Sequence, residues 1–303
     1  MNYLDRRLHI NNEIYKVNVG EFECIALSDG GMNYPIESFF SNPPMTEVAA
    51  ALRQRNLTTK YVHTPYTCLF INTGRNRVLV DTGAGDIAEG AHIFFPNIDN
   101  STSVTGKLCD NLGAAGIQPE DIDTVIITHA HPDHVAGTLT SDGDLVYKNA
   151  RYFITKTEYE FWMSAEAETS SSPSMVEMAR RYLAPLAGRL TFIEGEAEIL
   201  PGISVLPAPG HTPGHIAVKV SSKGEELINV SDTALYPHHL EFPDWLPAFD
   251  VTPEQAVISK QLIFDQAAEQ KALVFAHHFP PFPALGYVKK REKGWEWLPI
   301  EKV

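Results

Sequence analysis

Short apolar segments separated by turn residues recur along the 303-residue chain. Their short length and their content of Val and Ile predict β-strands rather than helices. Several segments contain no polar residue, which predicts strands that are buried on both faces. We interpret the turn residues Asp29-Gly30-Gly31 as the end of the first strand. The predicted strands are 22–27, 67–72, 78–80, 124–128, 151–155, 190–193, 203–206, 216–220, 227–230 and 272–276.

Helical spacing of apolar residues occurs in three segments. The first, 108–115, ends before Gly116, a residue type that is common just after a helix. The second covers 175–186. In the third, Thr252 is predicted to cap a helix that starts at Pro253 and runs toward residue 268. Strands with helices between them predict a layered α/β architecture.

One segment, 166–174, is rich in Ser and acidic residues, and we interpret it as an exposed loop between helices. Patterned sequence continues on both sides of this segment. We therefore expect a single domain over residues 1–303 rather than a domain boundary here.

Composition narrows the class of protein. The chain has 44% hydrophobic and 20% charged residues, as soluble globular proteins do. Its 38 acidic and 24 basic residues give a net charge of −14, which disfavours nucleic-acid binding. We expect neither a membrane span nor a secretory signal, because long apolar runs are absent. The three cysteines predict no disulfide framework, and a cytoplasmic location follows as the default.

The segment 128–134 reads Thr-His-Ala-His-Pro-Asp-His and directly follows an apolar run. Where the chain stays extended, His129 and His131 point the same way and can converge on one ion. Pro132 disfavours helix at the preceding residue and forces a turn, so the Asp and His that follow can reach a second point. Imidazole and carboxylate groups are the usual ligands of catalytic zinc.

Three further segments place His or Asp at the end of an apolar run. The segment 209–215 reads Pro-Gly-His-Thr-Pro-Gly-His, Asp232 follows the run at 227–230, and His277 and His278 follow the run at 272–276. Chain alternation alone does not choose between these two histidines. Four such strand ends together predict one assembled site at one edge of a sheet.

The order HxHxDH, GHTPGH, SD and AHHFP resembles the metallo-β-lactamase superfamily. The resemblance includes Leu-Val-Asp-Thr-Gly at 79–83, and the ending at 279–299 is most similar to N-acyl homoserine lactone lactonases and methyl parathion hydrolases. It implies an αββα sandwich in which two mixed β-sheets are flanked by helices, with the metal site at one edge.

The resemblance also implies a site for two divalent metal ions, zinc in the first instance, with iron, manganese or cobalt as alternatives. Asp232 would bridge the ions, and Asp81 would support the metal-site loops. His278 is preferred over His277 because it directly precedes Phe-Pro. The implied ligands are His129, His131 and His211 for the first ion and Asp133, His134 and His278 (His277 as the alternative) for the second.

In this family a hydroxide shared by the two ions attacks the substrate, and we expect the same chemistry here. Asp133 is predicted to carry a proton to the leaving group. Some related lactonases have a Tyr three residues after the bridging Asp, but Leu235 stands there. We therefore predict that Tyr236 assists catalysis instead.

The expected substrate is a small molecule with a lactone or ester group, such as an acyl homoserine lactone. Aromatic residues predicted to line its pocket are Phe94, Phe95, Trp162 and Phe282. An aryl ester or organophosphate triester hydrolase and a glyoxalase-II-like thioesterase are the alternatives. Asp232 counts against an antibiotic-hydrolysing β-lactamase, and the full ligand set counts against a metal-binding scaffold without turnover. A homodimer is a further expectation.

Overall fold

The strands form two β-sheets in the part of the chain that the computed structural model describes, residues 8–11, 13–85 and 99–300. The first sheet has the order β1-β2-β3-β4-β5-β7-β8-β9, with β6 paired to β3. Its strands are β1 (Leu8–Asn11), β2 (Ile14–Val19), β3 (Phe22–Pro35), β4 (Tyr61–Asn72), β5 (Arg77–Val80), β6 (Asp99–Val104), β7 (Thr124–Ile126), β8 (Arg151–Thr155) and β9 (Leu190–Ile193).

The second sheet follows the chain order β10 to β16. Both sheets are mixed, because β5, β7, β8 and β9 pair in parallel in the first and β13 pairs in parallel with β14 in the second. The strands of the second sheet are β10 (Ala197–Leu200), β11 (Ile203–Pro207), β12 (Ile216–Ser222), β13 (Glu225–Asn229), β14 (Leu273–Phe275), β15 (Leu285–Lys290) and β16 (Trp295–Pro299).

Helices cover the outer faces of the two sheets. None of the described helices has the length and apolar sequence that a membrane span requires. The described α-helices are α1 (Ile36–Phe39), α2 (Met45–Gln54), α3 (Leu108–Ala114), α4 (Pro132–Val135), α5 (Lys156–Met163), α6 (Ala165–Ser170), α7 (Pro173–Leu183), α8 (His238–Glu241) and α9 (Pro253–Gln270).

The central strands bury the side chains on both of their faces. In β4, Leu69 and Ile71 face the layer between the two sheets, whereas Cys68 and Phe70 face the helices of the first sheet. Successive side chains of a strand point to opposite faces, so a continuous apolar run suits a strand in the middle of such a stack. Each large apolar side chain buried in this way contributes roughly 1.5–3 kcal/mol.

The predicted αββα sandwich is confirmed by these layers. Apolar residues of both sheets pack together in the middle layer, α3, α5 and α7 pack on the first sheet, and α9 packs on the second. The shared middle layer also supports the prediction of one domain over residues 1–303, which itself stays a prediction.

Two sequence predictions about local structure were wrong. Asp29-Gly30-Gly31 does not end a strand: β3 continues through a bulge to Pro35, and Gly30 takes a φ of +108° there. Residues 166–174 are not a plain loop, because Ala165–Ser170 form a helix. The hydroxyl group of Ser164 accepts a hydrogen bond from the backbone of Glu166, and such a cap stabilises a helix by about 1 kcal/mol.

Two predicted helix ends can be compared with the structure. Gly116 follows the α3 helix with a φ of +82°, as predicted. Pro253 is the first residue of α9, also as predicted, but the Thr252 side chain makes no capping hydrogen bond.

Candidate metal centre

The segment 128–134 changes conformation within a few residues, and this change sets the directions of its side chains. β7 ends at Ile126, and the backbone is still extended at His131 (φ −68°, ψ 152°). Pro132 then begins the one-turn helix α4, which carries Asp133 and His134. The extended part therefore presents its two histidines in one direction, and the helix turns the next two side chains toward a neighbouring point.

The first group of side chains comes from three segments. His131 Nδ1 lies 3.1 Å from His129 Nε2 and 2.9 Å from His211 Nε2. Asp232 Oδ2 lies 3.2 Å from His211 Nε2 and 3.7 Å from His129 Nε2. All four residues are buried, and one atom of each lies within 4.8 Å of the others. The sequence predicted the three histidines as ligands of one ion.

The second group lies beside the first. His278 Nε2 lies 3.3 Å from Asp133 Oδ2 and 3.2 Å from Asp232 Oδ2. His134 Nε2 lies 3.2 Å from Asp232 Oδ1 and 3.9 Å from Asp133 Oδ2. Asp232 thus touches side chains of both groups, which is the position that a bridging carboxylate requires. The structure brings all seven predicted ligands together, and their binding of metal stays a prediction.

The two C-terminal histidines occupy different positions. His278 contacts both carboxylates and lines the cavity above the site. His277 also lies within reach of the second group, but its ring stacks on His134 with centroids 4.0 Å apart. Its Nε2 atom is buried and has no hydrogen-bond partner among the described residues. The geometry favours His278 as the ligand, in agreement with the sequence motif.

Four of the histidines are held by a hydrogen bond at the nitrogen that faces away from the centre. The acceptors are Thr128 Oγ1 for His129 (3.2 Å), Asp250 Oδ1 for His211 (2.8 Å), Asp81 Oδ2 for His134 (2.9 Å) and the Pro65 carbonyl for His278 (3.2 Å). An imidazole that donates on one side presents a lone pair on the other, as histidines that bind metals do. The donor set therefore fits two divalent ions.

Burial and neighbouring charges set the protonation of these groups. Burial lowers the pKa of His131 to about 3, with the charge of His211 as a further cause. Burial alone would raise the pKa of Asp232, but the charges of His278 and His134 outweigh it and hold that pKa well below its usual range. The hydrogen bonds and charges of the neighbouring carboxylates outweigh burial and raise the pKa of His211 and His278 to about 9. A divalent cation binds neutral imidazoles and ionised carboxylates, so its binding would displace the protons of these two histidines.

Asp81 directly follows β5 and lies behind the candidate site. Its Oδ1 accepts from the backbone of Thr128 at 2.8 Å, and its Oδ2 accepts from the Thr128 hydroxyl group at 2.9 Å. The same Oδ2 lies 2.9 Å from His134 Nδ1. Asp81 therefore fixes the start of the motif segment and the ring of one predicted ligand. His215 accepts a hydrogen bond from the backbone of Asp232 at 3.1 Å.

Glu158 is a functional residue that sequence reasoning missed. One oxygen accepts from the backbone of Ala130 at 2.9 Å and from Trp162 Nε1 at 2.7 Å. The other accepts from the Thr212 hydroxyl group at 2.6 Å and from the backbone of Gly214 at 3.0 Å. Glu158 thus joins the two loops that carry the first group of histidines. Gly214 lies so close to the start of the Glu158 helix that a Cβ atom on Gly214 would lie 2.2 Å from the Glu158 backbone nitrogen.

A small cavity of about 30 Å³ opens above the two groups. Its base contains five of the predicted ligands, and its remaining walls are mostly apolar. It adjoins an open groove of about 440 Å³ that runs between residues 169–172 and 248–251. The wall residues of the cavity are Tyr34, Phe39, Thr64, Met175, Leu235 and Phe249.

Two of the residues that the sequence predicted for the pocket, Trp162 and Phe282, do not line this cavity. Trp162 is fully buried behind His131, and its indole N–H donates a hydrogen bond to Glu158. Phe282 packs against the apolar layer between the sheets. Phe94 and Phe95 lie outside the described residues.

Tyr236 does not line the cavity, so the structure does not support the predicted assistance to catalysis. Its ring stacks on His238 with centroids 5.5 Å apart and meets Phe40 edge-on. Burial raises its pKa to about 12. The preceding residue, Leu235, faces the cavity instead.

Fold and site together define a metal-dependent hydrolase. Residues 62–277 match the Metallo-beta-lactamase superfamily, and the chain belongs to this family. The chain is 25% identical over 229 residues to the N-acyl homoserine lactonase AiiA of Bacillus thuringiensis subsp. kurstaki, covering 72% of this chain and 83% of that protein.

Two solved structures are similar over nearly the whole chain. One is AidC, a dizinc quorum-quenching lactonase in complex with a product, N-hexanoyl-L-homoserine; it is 28% identical with a TM-score of 0.86, covering 96% of this chain and 98% of that one. The other is the hydrolase AbOPH, in the beta lactamase superfamily; it is 26% identical with a TM-score of 0.84, covering 97% and 100%.

Proposed function

We propose that this protein is a lactonase that hydrolyses N-acyl homoserine lactones with two zinc ions at the candidate metal centre. The observation that carries the proposal is the shared carboxylate of Asp232 between two groups of ligand-type side chains, at the base of a cavity with apolar walls. The likeness to a dizinc lactonase over 96% of this chain supports both the metal and the class of substrate.

The first ion would be held by His129, His131 and His211, the second by Asp133, His134 and His278, and both by Asp232. Imidazole and carboxylate donors bind zinc readily, and iron, manganese and cobalt are the other candidates. When bound, the two ions would lower the pKa of a water molecule, supply a hydroxide nucleophile at neutral pH and polarise the substrate carbonyl group.

Asp133 would act as the proton carrier. Its side chain is 15% exposed, the most open of the carboxylates at the site, and it lines the cavity. It would accept the proton of the attacking hydroxide when the new C–O bond forms. It would then return that proton to the ring oxygen when the lactone C–O bond breaks, so that a carboxylate and an alcohol are released.

The apolar wall of the cavity would hold the acyl chain. Phe39 and Phe249 meet edge-on with ring centroids 6.0 Å apart, and Met175 and Leu235 complete the wall. Contact with these side chains would orient the amide end of the substrate toward the metal centre and exclude bulk water from it.

A proton-release assay with zinc-reconstituted protein tests this proposal. The panel contains short- and long-chain homoserine lactones, simple γ- and δ-lactones, an aryl ester and an aryl phosphotriester. We expect turnover of acyl lactones, a loss of at least about 100-fold in His129→Ala, and unchanged rates in the matched variant His63→Ala, whose side chain is exposed. Turnover of only the aryl ester or the phosphotriester would replace the lactonase by one of those activities.

A further inference from the structure

The cavity above the metal centre is smaller than the substrate that the proposed function requires. Its volume of about 30 Å³ has room for about two water molecules, since one water needs roughly 10–15 Å³. A lactone ring that carries an amide group and an acyl chain is larger than this. Most of the acyl chain must therefore lie outside the cavity, and its path depends on the space that the cavity meets.

The open groove of about 440 Å³ meets the cavity at three side chains. His131, Met175 and Phe249 line both spaces. Another groove, of about 390 Å³ between residues 155–160 and 193–195, shares none of its lining residues with the cavity. Of these two described grooves, the one beside His131 therefore leads to the metal centre, on the side of the first group of predicted ligands.

Met175 and Phe249 line the junction between the cavity and the groove. Met175 lies in the first turn of α7, and Phe249 lies in the segment between α8 and α9. Both side chains are half-buried, and the Phe249 ring packs edge-on against Tyr34 and Phe39, with centroids 5.9 and 6.0 Å away. A Met side chain is unbranched and flexible, so it can shift beside the packed ring and admit a chain between them.

The lining of the groove suits a neutral, flexible chain. Residues 169–172, which read Thr-Ser-Ser-Ser, form one side, and Phe249 and Val251 offer apolar surface on the other. The lining contains no Lys or Arg among the described residues, and its one acidic residue there, Asp250, places Oδ1 2.8 Å from His211 Nδ1. An acyl chain therefore fits this groove better than an anionic tail, such as that of a glutathione thioester.

We propose that the acyl chain of the substrate leaves the metal centre on the His131 side, passes between Met175 and Phe249 and lies in the groove between residues 169–172 and 248–251. Met175, Phe249 and the groove thus determine the specificity for chain length. This inference rests on the proposed lactonase function, and it gives part of the Ser-rich segment 166–174 a role in substrate binding.

The test measures kcat and KM for the butanoyl, hexanoyl, octanoyl and decanoyl homoserine lactones. A fully buried methylene group favours binding about fourfold, so a methylene group half-covered by an open groove favours it about twofold. We expect kcat/KM of the parent protein to be about 10- to 100-fold higher for the decanoyl than for the butanoyl lactone. The gain should appear in KM, because the chain makes the same contacts in the ground state and in the transition state.

Two pairs of matched variants locate the chain. Ala248→Phe fills the groove at an exposed position, and Ala114→Phe adds the same bulk at an exposed position of α3 outside it. We expect Ala248→Phe to reduce the decanoyl-to-butanoyl ratio of kcat/KM to less than about threefold while the butanoyl lactone reacts as in the parent, and Ala114→Phe to keep the parent ratio. Met175→Ala should lower the ratio about threefold, whereas Met45→Ala, at a half-buried Met that lines neither space, should not change it.

Two further measurements keep the test decisive if a variant fails to fold, which Tm and zinc content would show. In the parent, isothermal titration calorimetry should find ring-opened decanoyl homoserine bound at least about tenfold more tightly than the butanoyl product. A lactone whose hexanoyl chain ends in a carboxylate should react at least about tenfold more slowly than the plain hexanoyl lactone, because its charge would be left unpaired in the groove.

A parent ratio near one, equal affinity for the two products, an unchanged ratio in Ala248→Phe or equal rates with the carboxylate-ended chain would each overturn the inference while leaving the proposed function intact. A parent protein that opens none of these lactones would overturn the proposed function, and the path of the acyl chain with it.

Discussion

Replacing Glu158 by Gln tests whether one buried carboxylate holds the metal-site loops together. The carboxylate accepts four hydrogen bonds, two at each oxygen. A Gln side chain has nearly the same shape, but its NH₂ group must face one of the two donor pairs. If it faces Thr212 and Gly214, the Thr212 hydroxyl group can reverse and accept, whereas the Gly214 N–H is left without a partner.

The cost of this change can be estimated from its parts. One buried N–H without a partner costs about 1–3 kcal/mol, and the three remaining bonds lose the strengthening that an ionised acceptor provides. Relief from burying a charge offsets part of this, since burial raises the pKa of Glu158. We expect the free energy of unfolding to fall by about 3 kcal/mol and Tm by roughly 5 °C.

The same substitution should weaken metal binding. Glu158 bonds to the backbone beside His131 and to the loop of His211, so its loss frees two predicted ligands of the first ion. Changes behind a ligand typically reduce metal affinity about 10- to 100-fold. Zinc titration against a competing chelator measures this affinity, and thermal unfolding followed by circular dichroism measures Tm.

Glu160→Gln provides the control for this experiment. Glu160 lies on the same helix, its side chain is 65% exposed, and its ion pair with Lys156 is a surface contact at 3.8 Å. If Glu158→Gln has the same Tm and the same zinc affinity as Glu160→Gln, the reasoning about the two loops is wrong.

Three further predictions concern the metal ligands, metal removal and pH. His278→Ala should lose one equivalent of zinc by mass spectrometry, whereas His277→Ala should keep two; the reverse result would exchange their roles. Chelation of the metal should lower Tm, because the ions bind only the folded protein; an unchanged Tm would show that no ion contributes to stability. Burial lowers the pKa of Lys260 to about 8 in the folded protein, whereas an unfolded Lys has a pKa of about 10.4. Between these two values the unfolded state binds more protons, so the free energy of unfolding rises with pH, by about 3 kcal/mol over the full range. The Tm of Lys260→Met relative to the parent should therefore fall between pH 7.5 and 10, and a constant difference would contradict this.

The grouping of the seven predicted ligands could be foreseen because these side chains stand at or just beyond strand ends in local motifs. The backbone conformation of segment 128–134 is set by its own residue types. They favour an extended stretch followed by a helix turn that starts at Pro132. The preference for His278 came from the motif alone, whereas the stacking of His277 on His134, which also favours His278, is a tertiary contact.

Residues that support the site were harder to find. Glu158 stands three positions after the helix cap Thr155, where an acidic residue ordinarily marks only a helix start. Asp250 precedes the start of α9 and carries no motif. Their roles depend on which loops pack against them, and this information is absent from local sequence.

The pocket could not be predicted from aromatic residues, because a buried aromatic side chain can face either the core or the cavity. Trp162 and Phe282 are large apolar side chains in the core, as most aromatics are. The wall is formed instead by Phe39 and Phe249, which meet because the backbone of Ala248 donates to Ser38 across 210 positions of the chain. A sequence pattern has no signal for such a contact.

The most direct test of the central claim is anomalous diffraction at the zinc edge from crystals of the zinc-reconstituted protein. We predict two peaks, one contacted by His129, His131 and His211 and the other by Asp133, His134 and His278, with Asp232 contacting both. A single peak, or two peaks that do not share Asp232, would contradict the dinuclear centre on which the proposed function depends.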